Sequence, residues 1–377
     1  MIIKNASVFT EEGKFAKQDI FIKDGKFVVS AEEADGEEII DAKECFAVPG
    51  LTDIHFHGCM GHDFCDGTRE AITAMAEYEA SVGVTSIVPA TMTLGEDTLQ
   101  GICETAAAYV KEVKNDKAAD LCGINMEGPF VAASKKGAQN GAYIRKPDVE
   151  MFDKLNQASG NMIKLVAIAP EVEDAMEFIK AKKDETVLSV AHTATDYDTA
   201  MEAFEKGATH VTHLYNAMNP YTHRAPGPIA AAADSGAEVE LICDGVHIHP
   251  AVVRTTFKIF GDDKVILISD SMMATGLEDG DYSLGGQAVK VVGNLATLAD
   301  GTIAGSATNL MDCMRTAVQK MHIPLESAVK CAAVNSAKSV GIYDKYGSIT
   351  PGKVANVVLL KKNDLALEKV ILRGKAL

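Results

Sequence analysis

Six residues of the chain carry side chains that bind divalent metals, and each stands at the end of a short apolar run. His55 and His57 close the run that begins at Leu51, and Glu127, His192, His213 and Asp270 close four more. In a strand, residues two apart point to the same face, so His55 and His57 act as a pair. Four imidazoles and two carboxylates converging on one point suit a borderline first-row divalent cation, with ligands enough for one ion or two. A lone His-x-His is common, and a single strand histidine is more often a packed core residue. Six such residues at the ends of five strands form a joint pattern that neither bland reading produces.

The elements that must bring them together are legible in the periodicity. From Leu51 onward, short apolar runs at 51–57, 84–91, 121–127, 164–170, 187–192, 209–213, 239–244 and 265–270 read as strands. Helical stretches at 68–82, 97–114, 171–183, 196–206 and 250–260 lie between them, and two more, 307–321 and 325–340, follow. Eight strand–helix units in one run predict an α/β fold, a (β/α)8 TIM barrel, whose strand C-termini surround a single mouth. Both ends of the chain have a different texture. Segments 1–9, 18–23, 27–30 and 37–41 read as short strands separated by turn residues, and strands return at 355–360 and 367–372. We expect the two ends to pair as a small β-sandwich domain, residues 1–48 with 346–377, and residues 49–345 to form the catalytic barrel.

Composition narrows the function. The 377 residues include 53 Asp and Glu against 36 Lys and Arg, a net charge of −17. Such a field argues against a nucleic-acid partner, because phosphate backbones want a basic face. It also requires that an anionic substrate be captured by a local cationic group. The eight cysteines are irregularly spaced with no C-x-x-C, which reads as free thiols in a reducing compartment. No apolar run is long enough to span a bilayer, and Met1–Thr10 lacks the pattern of a signal peptide, so a cytoplasmic location is expected. Neither a G-x-S-x-G elbow nor a phosphate-binding G-x-x-x-x-G-K-[ST] loop is present, and the glycine-rich run at 280–286 reads as a hairpin or lid. Among the remaining histidines, His210 has the opposite strand parity to His213 and should face the surrounding helices. His62, His249 and His322 have no partner pattern. His223 and His247 lie in loops at the same mouth, within reach of a substrate.

Longer stretches around these residues resemble a known family. Pro49-Gly50-Leu51-Thr52-Asp53-Ile54-His55-Phe56-His57-Gly58 looks like the first-strand motif of the amidohydrolase superfamily. Gly347-Ser348-Ile349-Thr350-Pro351-Gly352-Lys353 resembles its return to the terminal β-domain. Met126-Glu127-Gly128-Pro129-Phe130, Thr212-His213-Leu214-Tyr215-Asn216-Ala217-Met218, His223-Arg224-Ala225-Pro226-Gly227, Asp244-Gly245-Val246-His247 and Ala304-Gly305-Ser306 are similar to the N-acetylglucosamine-6-phosphate deacetylase family. The resemblance implies a main metal site at Glu127, His192 and His213, with Asp270 as catalytic acid–base. It also implies substrate contacts at Ala138, Asn216, Ala217, Arg224, His247 and the turn Ile303, Ala304, Gly305 and Ser306. Some members lack the paired histidines and hold one metal; His55 and His57 liken this chain to the two-metal branch. Gln139, counted with these substrate contacts, stands where some members carry a histidine. In the family the arginine matching Arg224 reaches the neighbouring subunit's substrate, which implies a homodimer. Many cyclic amidases instead bridge two metals with a carboxylated lysine at the end of the fourth strand. Here that strand ends Ala169-Pro170-Glu171, with Lys164 at its start, which disfavours a cyclic-amide substrate.

The chemistry these readings imply is metal-assisted hydrolysis of the acetamide of an amino-sugar phosphate, N-acetylglucosamine 6-phosphate, to glucosamine 6-phosphate and acetate. Arg224 offers a planar fork of donors that matches phosphate oxygens. Two alternatives remain at this level: a deacetylase of another N-acetylhexosamine phosphate, of galactosamine or mannosamine type, and a barrel scaffold that has lost catalysis. The scaffold would show lost ligands, and all six are present.

Overall fold

A computed structural model describes residues 1–34 and 38–377. Of the expected strand at 37–41, Glu37 lies outside the described residues, and the described part is Ile39–Asp41.

The runs of Val, Ile and Leu after Leu51 form parallel strands buried on both faces, which is why they read as continuous apolar runs. Leu51–Asp53, Val84–Ile87 and Asp120–Leu121 make a three-stranded parallel sheet. Ile124–Met126, Ile163–Ile168, Val187–Val190, His210–Val211, Glu238–Ile242 and Val265–Ile268 make a six-stranded one. The expected third strand is thus broken: Asp120–Leu121 pairs toward Val84–Ile87, and Ile124–Met126 pairs toward Ile163–Ile168. Between the broken halves lie Cys122 and Gly123, where a Cβ on the glycine would meet the Lys164 side chain at 2.3 Å. The parallel sheet is curled.

Helices alternate with these strands and begin where the sequence supplies a cap. Thr68, Asp148, Asp196 and Asn309 each accept a backbone N–H three residues on, at the starts of Arg69–Ser81, Val149–Ala158, Tyr197–Lys206 and Leu310–Gln319. Gly236 ends Gly227–Ser235 in the left-handed region that suits a residue without a side chain. Val149–Ala158 and Gly227–Ser235 fall between strands where the periodicity had placed no helix. Val149–Ala158 does carry an apolar stripe of Met151, Phe152 and Leu155, whereas the alanine run in Gly227–Ser235 gives little contrast between its faces.

The two chain ends pair with each other in one sheet. Val357–Lys361 runs antiparallel to Cys45–Pro49, joining tail to head in one eight-stranded sheet with its own apolar core around Ile3, Val8, Ile22, Ala47 and Leu359. The glycine-rich run at 280–286 opens a four-stranded antiparallel sheet, Gly280–Leu284, Gln287–Val292, Leu295–Thr297 and Ile303–Ser306. Its apolar face packs on Met92 and Met272.

Candidate metal centre

The six ligand-type residues lie just past their strands. His55 and His57 follow Leu51–Asp53, Glu127 follows Ile124–Met126, His192 follows Val187–Val190, His213 follows His210–Val211, and Asp270 follows Val265–Ile268. The backbone leaves extended geometry there. His192, His213 and Asp270 have φ of 42°, 30° and 49°, a left-handed conformation that residues with side chains rarely adopt. Strained positions of this kind gather at functional sites. The parity expected for a continuous strand therefore does not set the side-chain directions; the turns beyond the strands do.

All six come together. Glu127 Oε1 lies 3.0 Å from His192 Nε2, 3.0 Å from His213 Nε2 and 3.4 Å from His55 Nε2. Its other oxygen lies 3.2 Å from His57 Nε2. Asp270 Oδ1 is 3.4 Å from His57 Nε2 and 3.8 Å from His55 Nε2. Two groups of three, His55 with His57 and Glu127, and Glu127 with His192 and His213, each bring a ligand atom per residue within 4.8 Å of one another. Glu127 belongs to both.

The electrostatics fit a cation. Burial alone would lower the imidazoles, yet neighbouring carboxylates outweigh it and hold His55 well above its ordinary range and His57 at about 10. Burial would likewise raise Glu127 and Asp270, yet the imidazoles hold both below the usual carboxylate range. The cluster selects positive charge at its centre, and a divalent ion supplies that charge in exchange for protons. His55 Nε2 is buried and has no hydrogen-bond partner, and the Nε2 atoms of His192 and His213 face each other at 3.1 Å. Both arrangements leave lone pairs aimed inward, as metal ligation needs. Imidazole and carboxylate donors suit a first-row divalent ion.

Above the cluster is a pocket of about 320 Å³. His57, Glu127, His192, His213 and Asp270 form its floor, and Ala138, Gln139, Asn216, Ala217, His247, Ile303 and Gly305 line its walls. Ala304 and Ser306 are buried behind the wall, where Ser306 Oγ donates to Ser269 O at 2.6 Å and fixes the turn against the eighth strand. Gly305, at φ +68°, lets this turn approach so closely that an added Cβ would lie 3.0 Å from the Asp270 carbonyl oxygen. Gly128 is tighter: a Cβ there would meet Thr93 Oγ1 at 2.0 Å. Asn216 donates its amide to the His213 carbonyl at 3.2 Å. Gln139 donates to Glu127 Oε2 at 2.6 Å while its oxygen accepts the Thr93 N–H at 2.6 Å, so both ends of its amide are committed. Arg224 and His223 are exposed and do not line this pocket. Among the described residues Arg224 has no ion-pair partner.

Four residues escaped the sequence reading. Asp244 receives His247 Nδ1–H at 2.7 Å, which leaves the other ring nitrogen for the pocket. Its signal was present, a carboxylate closing the seventh strand three residues before a histidine. Glu240 receives His55 Nδ1–H at 2.9 Å, and nothing in its local sequence announces that. Leu284 and Thr302, from the antiparallel sheet, also line the pocket. His210 points outward as expected, donating to Ser339 at 3.2 Å, but its other nitrogen bonds Glu240 at 3.1 Å.

The sequence pattern of the Amidohydrolase family matches residues 46–377. The chain is 38% identical to an N-acetylglucosamine-6-phosphate deacetylase of Bacillus subtilis (strain 168), over 99% of this chain and 96% of that protein. It is 30% identical to an N-acetylgalactosamine-6-phosphate deacetylase of Escherichia coli O157:H7, over 99% of this chain and 98% of that one. In structure it is similar to a mutant N-acetyl-D-glucosamine-6-phosphate deacetylase of Mycobacterium smegmatis in complex with N-acetyl-D-glucosamine-6-phosphate, with a TM-score of 0.91 and 31% identity over 100% of this chain and 98% of that one. Full-length likeness and a converging set of imidazoles and carboxylates agree, and the chain belongs to the amidohydrolase family.

Proposed function

We propose that the chain hydrolyses N-acetylglucosamine 6-phosphate to glucosamine 6-phosphate and acetate. The observation that carries this reading is the convergence of His57, Glu127, His192, His213 and Asp270 on the floor of one pocket, with His55 buried against Glu127 beneath it. The full-length likeness to deacetylases of that substrate supports it.

Two divalent ions would be held, one by Glu127, His192 and His213, the other by His55, His57 and Glu127. When bound, such an ion supplies Lewis acidity that activates water and polarises an amide carbonyl. Asp270 stands at the pocket floor, where its carboxylate accepts the proton of the attacking water and returns it to the departing amine, which leaves badly as an anion. His247, its Nδ1–H held by Asp244, presents Nε2 to the substrate. The turn at 303–306 and the backbone at Asn216 and Ala217 shape the sugar site. Gln139 serves that site through Glu127, since its amide is already engaged.

Arg224 is exposed and does not line its own pocket, which supports a homodimer in which it reaches the phosphate in the neighbouring site. Eight unpaired cysteines support a reducing, cytoplasmic location. We also read the two parallel sheets as one closed eight-stranded barrel. Asp270 N–H donates to the His55 carbonyl at 2.9 Å across one seam, and Thr91 N–H to Asn125 O at 2.9 Å across the other. In the terminal sheet, Ile2–Phe9 pairs with three strands, Phe15–Lys23, Ile39–Asp41 and Cys45–Pro49, which supports a sheet folded over as a sandwich. The boundaries 1–48 with 346–377 and 49–345 follow from that reading.

A galactosamine-type substrate is the second reading, favoured by the likeness to the Escherichia coli enzyme. Acetate release by metal-loaded protein, compared across phosphorylated and plain N-acetylhexosamines, separates the two. Turnover fastest on N-acetylglucosamine 6-phosphate supports the proposal; no release from any phosphorylated N-acetylhexosamine refutes it.

A further inference from the structure

Glu240 sits in the middle of the strand Glu238–Ile242, fully buried, where a carboxylate is costly unless it is paired. Its Oε2 accepts two bonds from the metal centre: His55 Nδ1–H at 2.9 Å and the backbone N–H of His213 at 3.1 Å. Its Oε1 accepts His210 Nε2–H at 3.1 Å, and His210 Nδ1 reaches Ser339 Oγ at 3.2 Å, on a helix outside the sheet. A polar chain therefore runs from the outer helices, through the wall of the sheet, to one imidazole of the centre. His55, Glu240 and His210 are all wholly buried.

The four inward imidazoles are not supported alike. His192 has a backbone carbonyl, Lys135 O, at 2.9 Å from Nδ1. Nδ1 of His57 and of His213 is buried without a hydrogen-bond partner. Among the described residues, His55 alone of the four has its Nδ1 bonded to a carboxylate. That bond fixes the tautomer, places the proton on Nδ1 and leaves the Nε2 lone pair facing Glu127, 3.4 Å from its Oε1. A carboxylate behind a ligating histidine both orients the ring and strengthens it as a donor.

We infer that Glu240, anchored from outside by His210, is the positioning residue of the His55–His57 half of the centre and makes that half competent to hold an ion. The inference rests on the two-ion reading above. Glutamine at 240 keeps an acceptor for His55 and for the His213 backbone and removes the charge, so it tests positioning and donor strength with little change of shape.

The test is titration of metal-stripped protein with Zn²⁺ against a chromophoric chelator, which resolves one affinity per ion. Glu240→Gln should weaken one ion by roughly 10- to 100-fold and leave the other unchanged. On a His57→Gln background, where the remaining ion sits with Glu127, His192 and His213, adding Glu240→Gln should change nothing. Melting temperatures of the metal-free proteins should differ little, because only the His210 bond must change, its Nε2 turning to accept from the new amide. Should Glu240→Gln not fold, His210→Gln removes the outer anchor alone and should give a smaller loss at the same ion. Two ions held with unaltered affinity in the folded variant, or both weakened equally, would overturn the inference. A wild-type protein that holds a single ion, unaffected by His55→Gln, would instead sink the two-ion reading itself.

Discussion

Asp270 donates its backbone N–H to the carbonyl oxygen of His55 at 2.9 Å. The turn after Val265–Ile268 is thereby tied to the turn after Leu51–Asp53, and the carboxylate at the pocket floor is held in register with the histidine pair. His57 N–H continues the seam, donating to the Ser271 carbonyl at 2.7 Å. Ser306 N–H returns to the Asp270 carbonyl at 2.7 Å, so the pocket-lining turn hangs on the same residue. The ligand-type residues and the link between the two parallel sheets share one short stretch of backbone.

Asp270→Asn should therefore keep its fold and its substrate affinity while losing turnover. Asparagine preserves the backbone bonds and cannot accept a proton, and removal of a general acid–base group costs about 10²- to 10⁴-fold. Steady-state kinetics with an acetate readout measures it. Turnover near that of the wild type would remove Asp270 from the proton path.

The histidine pair should govern metal content. Elemental analysis after anaerobic loading should give two equivalents for the wild type and one when His55 and His57 both become glutamine, because the group of Glu127, His192 and His213 is left whole. An unaltered count of one in both proteins would make the pair vestigial.

Arg224 should read phosphate. Arg224→Ala is expected to raise KM for the phosphorylated sugar roughly ten- to a hundredfold, as befits a charge-assisted bond of about 1.5–3 kcal/mol, with much less effect on the plain sugar. Mixing Arg224→Ala with an Asp270→Asn protein checks the dimer: heterodimers pair an intact Arg224 with an intact Asp270 in one site and should recover activity. Equal loss on both sugars would assign Arg224 to the interface or the fold.

Stability should carry a signature of Glu79, which lies buried in the helix Arg69–Ser81 with neither carboxylate oxygen hydrogen-bonded. Burial, with the Asp53 carboxyl nearby, raises it well above the ordinary value of 4.5. The folded state then binds a proton that the unfolded chain gives up, so stability present below about pH 4.5 is lost as pH rises toward the raised value. Glu79→Gln removes that dependence. Melting curves from pH 5 to 8 should show the wild type falling relative to the variant; parallel curves would mean that Glu79 gains a partner in solution.

The chain by itself determined the metal-type residues and the apolar runs they end. Those features are local: strand burial on both faces leaves unbroken apolar runs, and a ligand must be the residue that leaves the run. Only the tertiary structure decided what backs those ligands. Glu240 meets His55 across 185 residues of sequence, and no periodicity within either segment encodes that meeting. Gln139 reads as a substrate contact until Thr93 and Glu127 are found on either side of its amide. Side-chain direction was likewise decided late. Period-two alternation holds inside a strand, whereas His192, His213 and Asp270 stand in left-handed turns just beyond one, where neighbouring strands and not local pattern fix the backbone.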